Sequence, residues 1–563
     1  MNKQIANLLE QHFDTAFAAP DGIKKLRELI LTLAMQGKLV EQDPNDQPAS
    51  ELLKEIEAEK QRLVTAGKIK KPKPQPPIQP EEMPYDLPKG WEWVRLGAIT
   101  NYNGRKNISG DQIDPDTWLL DLEDIEKDTS RLLYRASFSE RQSKSAKSVF
   151  QKGDVLYGKL RPYLDKVIVA DSNGVCTTEI VPIVPLAGLY AEFLRWLLKR
   201  PAFLIYVNTL MYGVKMPRLG TIDALESIHP LPPLPEQHRI VARIDQLMTR
   251  CDELEKLRNE RAEKRLVVHA AAIKQLLDAP DGSAWDFIQQ HFDELYSVKE
   301  NVAELRKAIL QLAVMGRLLP QNPNDPPASE LLKEIEVEKQ RLVKEGKIKQ
   351  PKPIAPIKPE EMPYEMPNGW EWVRFGDLTT EIATGPFGSM IHKRDYVFDG
   401  IPLINPSHMI DGKIVQDQSI SVSKKMAKTL SSYKLCENDI VMARRGEMGR
   451  CAVVNNLSDG FLCGTGSFVL RFIDKLNRQY ILNVFKTENI QEYLGVNSVG
   501  TTMTNLNHNI LNNMPVLLPP LPEQHRIVAR IDQLMALCDQ LDQQIDAAVC
   551  KQTEILNAVL ALV

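Results

Sequence analysis

Residues 26–64, LRELILTLAMQGKLVEQDPNDQPASELLKEIEAEKQRLV, return nearly unchanged as residues 305–343, LRKAILQLAVMGRLLPQNPNDPPASELLKEIEVEKQRLV. A second block, LPPLPEQHRIVARIDQLM, occupies residues 231–248 and again 518–535. A period near 280 residues is too long for a solenoid repeat and marks the duplication of a whole module. Between the shared blocks lie two stretches, roughly Gly97 to Ile228 and Gly376 to Val516, that resemble each other only faintly. Two like frames thus carry two unlike inserts. The pattern suits a protein whose frame meets the same partner twice while its inserts recognise two different things.

Composition narrows the classes. A chain of 563 residues needs several cores. With 70 Lys+Arg against 74 Asp+Glu, overall charge argues neither for nucleic acid nor for a membrane, so local charge must make any such case. The seven cysteines are scattered and never form a CxxC pair, which fits a reducing cytoplasm better than disulfides or zinc. The start, MNKQIANLLEQHFDTAF, has no basic stretch followed by an apolar core, and no run reaches transmembrane length. A soluble, cytoplasmic protein is expected.

Proline punctuates the frames. KPKPQPPIQPEEMPYDLP from Lys71 and KPIAPIKPEEMPYEMP from Lys352 cannot continue a helix. Such strings can dock other proteins, but both lead straight into GWEW at Gly90 and Gly369, which favours semi-extended linkers. After Pro235 apolar residues fall at Ile240, Ile244, Leu247, Cys251 and Leu254; after Pro522 they fall at Ile527, Ile531, Leu534, Cys538, Leu541 and Ile545. Steps of four and three give the spacing of a coiled-coil seam, and the charged faces outside it suit a two-helix rod better than a helix on a globular core. The period leaves the direction of pairing open; an antiparallel pair would relate the halves by a pseudo-twofold. The inserts read as mixed α/β, with strand-like DVLYGKL, DKVIVAD and EIVPIVP in the first and DIVMARR, CAVVNN and GSFVLRF in the second, each set followed by a helical segment.

Catalytic signatures are missing: no GxxxxGK[ST] loop, no HExxH helix, no PPY or PPW tetrapeptide of an amino-methyltransferase, no nuclease array of carboxylates and lysine. The CGTGS run at residues 463–467 reads as a turn, and His238 and His525 as packing or capping groups. Local charge is more informative. From Arg131 to Arg161 eight basic residues face two acidic ones, and from Lys424 to Arg450 seven face three. Basic residues supply phosphate contacts and arginine forks read guanine, although acidic neighbours such as Asp111 to Asp128 could neutralise the first window. A second candidate lies before each LPPLPEQ block, where VKMPRLGTID from Val214 matches TTMTNLNHNI from Thr501; Asn and Thr can read base edges, and they also make turns. The resulting DNA-contact candidates are Lys159, Arg161, Lys215 and Arg218 in the first insert, and Arg444, Arg445, Arg450, Thr501, Thr502 and Asn505 in the second.

Two variable inserts, each opened by Pro-x-GWEW and closed by PPLPEQHRIV with a long helix behind it, resemble the specificity subunit of a type I restriction–modification system. The ASELLKEIEAEKQRLV frame and the Pro-rich linker look most like the IB subfamily. The resemblance covers the whole chain. It implies an α+β chain in which two α/β target recognition domains are joined by a long antiparallel two-helix coiled coil. The limits are a helical region and linker over 1–84, a recognition domain over 85–235, a central helical region over 236–363, a second recognition domain over 364–522 and a closing helix over 523–563. It also implies that each domain reads half of a bipartite, asymmetric site in double-stranded DNA while the coiled coil sets the spacer. Two modification subunits would bring S-adenosylmethionine and N6-adenine methylation; two restriction subunits would bring ATP, Mg and cleavage. No cofactor or metal is expected on this chain, nor any catalysis. The rival readings are a stand-alone bipartite DNA-binding regulator and a coiled-coil scaffold whose inserts bind proteins.

Overall fold

The structure, a computed structural model, describes residues 13–69, 71, 74–141, 145–210, 215–278, 282–446, 449–498 and 505–561. Packing divides the chain into two compact units, residues 1–261 with 548–563, and residues 262–547.

Each unit starts its frame with two amphipathic helices, Gly22–Met35 and Ala49–Thr65 in the first, Lys299–Val314 and Ala328–Lys344 in the second. Leu31, Ala34, Leu52 and Ile56 are buried in one core, and Leu310, Ala313, Leu331 and Ile335 in the other. The second helix of each pair also buries a lysine. Lys60 donates to the carbonyls of Gly97 (3.0 Å) and Ala98 (2.5 Å), and Lys339 to those of Gly376 (2.9 Å) and Asp377 (2.8 Å). Burial lowers both ammonium pKa values, and the carbonyls replace lost water.

The Pro-rich segments are more than spacers. Arg95 donates to the carbonyls of Pro76 and Glu226 and pairs with Glu82 at 2.9 Å; Arg374 does the same with Ala355, Asn513 and Glu361. A guanidinium with five donors suits a proline strand, whose carbonyls find no partner in their own backbone.

The strand entering each insert pairs with the strand leaving it: Glu92–Arg95 runs antiparallel to Ile228–Leu231, and Glu371–Arg374 to Pro515–Leu518. Each insert therefore begins and ends at one place. The PEQ motif that follows opens a long helix, Leu234–Asp278 or Leu521–Ala561, with proline tolerated in its first turn. Its side chains lock the joint. The Trp91 indole N–H donates to the buried Glu236 carboxylate at 2.9 Å, and Trp370 to Glu523 at 3.0 Å. Gln237 bridges the Pro232 carbonyl and the Tyr190 N–H, as Gln524 bridges Pro519 and Asn477. Arg239 pairs with Asp46, and Arg526 with Asp325. His238 lies against the Tyr190 ring, and His525 bonds Asn477, so both serve the joint.

The long helices differ from a uniform seam. Ile240, Ile244 and Cys251 are buried in the core of their own unit, as are Ile527, Ile531 and Cys538 in theirs. These turns behave as an amphipathic helix on a globular core. Beyond them Leu254 is 42% exposed and Leu257 61%, whereas Leu541 and Ile545 stay half-buried against their unit.

Each insert is built on a four-stranded antiparallel sheet of the same order. In the first, Thr100–Tyr102, Ile180–Pro185, Val155–Gly158 and Val167–Val169 are neighbours; in the second, Thr379–Thr384, Ser467–Phe472, Ile440–Ala443 and Cys451–Val453. Secondary sheets differ, and among the described residues each insert has one parallel pairing, Trp118–Leu120 with Gly174–Thr177 and Ile401–Ile404 with Leu462–Cys463. The inserts, expected as α/β, are thus mainly antiparallel and α+β, with sheet neighbours such as Thr100–Tyr102 and Ile180–Pro185, or Thr379–Thr384 and Ser467–Phe472, brought together from far apart in the chain.

Candidate nucleic-acid interface

Two candidates far apart in sequence meet in both inserts. Strand Val155–Gly158 runs on into Lys159, Leu160 and Arg161, and the loop before the outgoing strand lies alongside. The Arg161 N–H donates to the Pro217 carbonyl (2.8 Å) and the Leu219 N–H to that of Lys159 (3.0 Å), so Leu160 pairs with Arg218. In the second insert, strand Ile440–Ala443 runs on into Arg444 and Arg445, the Leu506 N–H donates to the Arg444 carbonyl (3.1 Å), and Arg445 pairs with Asn505. The same backbone construction presents different side chains.

The side chains divide by role. Arg161 and Lys215 are exposed, and Lys159 is half-buried. Arg218 is exposed too, but its Nε lies 2.9 Å from Glu179, which raises its pKa and offsets its charge. Arg444, expected at the DNA, is half-buried: it donates to the Leu506 carbonyl at 2.9 Å and its guanidinium sits over the Phe468 ring. It ties the two segments together, leaving Arg445 exposed beside Asn505, whose side-chain oxygen accepts from it at 3.3 Å. Arg450 is half-buried, with its carbonyl accepting from the Ala443 N–H. Thr501 and Thr502 lie outside the described residues.

The rest of the first basic window is largely neutralised. Arg131 pairs with Glu126, Arg135 with Asp171, and Arg141 with Asp121 and Asp124. Lys147 is buried, and Lys144 lies outside the described residues. In the second window Lys424, Lys425 and Lys428 are exposed on helix Lys424–Thr429, and among the described residues no carboxylate lies within ion-pair distance of them. The cationic content of the two inserts is therefore less alike than their composition.

Sequence reasoning missed what holds the first loop in place. Four non-glycine residues, Asp128, Ser130, Arg161 and Asp165, have φ of 63°, 58°, 49° and 49°, a region that costs about 1–2 kcal/mol per residue. Two turns are built from them, and one buried ammonium joins both. Lys199 donates to the Asp128 carbonyl (2.8 Å), the Ser130 hydroxyl (2.8 Å), the Asp165 carbonyl (3.1 Å) and the Asp165 carboxylate (2.6 Å). Burial pushes the Asp165 carboxyl up to about 6 and lowers the Lys199 ammonium, each opposite charge resisting its partner's shift. The signal available was a lone lysine closing the apolar helix Ala191–Lys199.

Among the described residues no three His, Cys, Asp or Glu side chains gather as a metal site. A family model described as "Type I restriction modification DNA specificity domain" matches residues 367–550. The chain is 36% identical to the EcoAI specificity subunit of Escherichia coli, over 95% of this chain and 92% of that one. It is 34% identical to the EcoEI specificity subunit of the same species, over 96% and 93%. Among solved structures, the HsdS subunit of Thermoanaerobacter tengcongensis aligns over 85% of this chain and 98% of its own, with a TM-score of 0.46 and 21% identity. With a third of its residues shared along almost its full length, the chain belongs to the type I restriction enzyme specificity subunits, on the IB side of that family.

Proposed function

We propose that this chain selects the DNA sites on which a type I restriction–modification complex acts, each insert reading one half of a bipartite, asymmetric sequence. The observation that carries the reading is one construction with two contents: Leu160 beside Arg218 in one insert, Arg445 beside Asn505 in the other. Unlike readers in like settings suit unlike half-sites, whereas identical readers would call for a palindrome. Asn505 and Arg445 are types that fork onto adenine and guanine edges. Lys159, Arg161, Lys215 and Arg218 would serve the other half, with Arg450, Thr501 and Thr502 supplementing the second.

The readers occupy residues 85–235 and 364–522; the frame comprises 1–84, 236–363 and 523–563. Each compact unit takes in the far end of a long helix that starts in the other, residues 548–561 or 262–278, which supports an antiparallel coiled coil that sets the unread spacer. As a specificity subunit the chain is non-catalytic. Two modification subunits would supply S-adenosylmethionine and methylate adenine at N6. Two restriction subunits would supply ATP- and Mg-dependent cleavage. A cytoplasmic location follows from this role, and no described helix is long and apolar enough to cross a membrane.

The test is adenine methylation mapped genome-wide by long-read sequencing in cells making the chain with an IB-type modification subunit. One split, asymmetric motif that vanishes when the chain is omitted is the expected result. Replacing residues 97–228 with another such insert should change one half of the motif only; a change in both halves would sink the modular reading.

A further inference from the structure

We propose that Tyr163 is a base-contacting residue of the first insert, its ring stacking on a base displaced from the duplex stack at the first half-site. The inference rests on the DNA-reading function proposed above and names a residue for it. Tyr163 sits in the middle of the short turn Pro162–Leu164, 47% exposed, with no hydrogen-bond partner for its hydroxyl among the described residues. Large exposed aromatics on turns are unremarkable singly; the construction beneath this one is not. Left-handed Arg161 and Asp165 bracket the turn, and the Lys199 ammonium fastens Asp165 and the second strained turn at Asp128 and Ser130 to one point.

Strained backbone persists where its surroundings over-determine it, and it concentrates at ligand-contacting positions. Here the strain holds an aromatic ring in solvent. Arg161 precedes the ring by two residues and is bonded through its N–H to the loop that carries Lys215 and Arg218. Arg161 in the turn and Lys215 on the loop bonded to it put exposed cations on the segments beside the ring, and a nucleic-acid strand takes phosphates on such charges and a base on such a ring. Fixing the turn beforehand lowers the ordering cost of contact.

Among its described residues the second insert shows no such lysine-fastened pair of strained turns. Of the described residues after strand Ile440–Ala443, Gly446 and Gly449 carry positive φ, where glycine bears no strain, and Lys486, which matches Lys199 along its helix, is exposed. Among the described residues the lysine-fastened turn thus belongs to the first insert and not to the repeated frame.

The experiment uses the full chain in complex with its modification subunits, a duplex carrying the mapped motif with 2-aminopurine placed in turn at each position of the first half-site, and a random duplex. Tyr163→Ala should weaken cognate binding about 5- to 100-fold while random-duplex affinity and salt dependence stay unchanged. Tyr163→Phe should bind within about two-fold of wild type, since the ring carries the contact. Wild type and Tyr163→Phe should raise 2-aminopurine fluorescence at one position besides the adenine that the modification subunits themselves flip, and Tyr163→Ala should raise it at that adenine alone. Wild-type cognate affinity in Tyr163→Ala overturns the inference and leaves the half-site reading standing. Loss of modification subunits from Tyr163→Ala, with cognate binding by intact complexes unchanged, overturns it in favour of a protein contact. Absence of any preference for the motif by wild type overturns the underlying reading with it.

Discussion

The joint and the candidate reading edge each occur twice in this molecule, and the two copies agree at the joint and differ at the edge. At the joints, Trp91 with Glu236 and Trp370 with Glu523 repeat atom for atom, as do Gln237 and Gln524, Arg239 and Arg526, Lys60 and Lys339. At the edges the backbone pairing repeats while Arg218 faces Leu160 in one half and Asn505 faces Arg445 in the other. A common mechanical requirement holds side chains fixed; on the function proposed above, a separate half-site for each insert releases them.

The sharpest way to break this comparison uses Lys199 and Lys486, the same helical position with opposite surroundings. Lys199→Met strands the buried Asp165 carboxylate and should destabilise the first unit by about 3–5 kcal/mol, read by denaturant unfolding with hydrogen exchange to locate the loss. Lys486→Met, at an exposed position, should stay within about 0.5 kcal/mol of wild type. Equal effects would mean that the two helices are more alike than their packing.

The joints should respond in step. Glu236→Leu leaves the buried Trp91 N–H unpaired, Glu523→Leu does so for Trp370, and each should cost about 1–3 kcal/mol. A large inequality would show that one joint bears a load the other does not. The edges should respond separately: Asn505→Ala should relax selectivity at one base of the second half-site by about 1–3 kcal/mol, with the first half of the methylated motif unaltered. Arg161→Ala should lower affinity for all sequences alike and reduce the slope of log affinity against log salt by about 0.9 if it meets one phosphate. The smallest effect lies at the linker clamps. Arg374 holds the Glu361 carboxyl down at about 2, against an unfolded value of 4.5, so its stabilisation is complete above pH 4.5 and lost as pH falls toward 2. Glu361→Gln should flatten acid unfolding over that window by less than about 1 kcal/mol, as befits a partly exposed pair.

Much of this was legible in the chain. The repeats located the frames, the apolar steps at Ile240, Ile244 and Cys251 located one helix face, and the runs DVLYGKL and DIVMARR became the central strands Val155–Gly158 and Ile440–Ala443. Where the stripe would leave the core was not legible, because Leu254 has the right residue type and spacing and only its neighbours decide its exposure. Charge counting overstated the first basic window: Arg135 finds Asp171 only once the strands between them fold. The two candidate loops were found separately, since nothing in sequence says that Leu160 and Arg218 share a ladder. The clamp that Arg444 makes on the Leu506 carbonyl was hidden for a related reason, a guanidinium being as good a clamp on carbonyls as a reader of bases.

The pairing of each insert's first strand with its last has an evolutionary meaning. Antiparallel neighbours lie about 5 Å apart, so the chain enters and leaves each insert through a single narrow neck. A gene segment exchanged between those two strands arrives with its ends already matched to the neck, and the Trp–Glu lock receives it unchanged. The near-identical amino-acid stretches on either side would leave the frame intact after such an exchange. New target sequences can then be acquired by shuffling whole cassettes, without waiting for point mutations to rebuild a reader while the assembly around it still has to work.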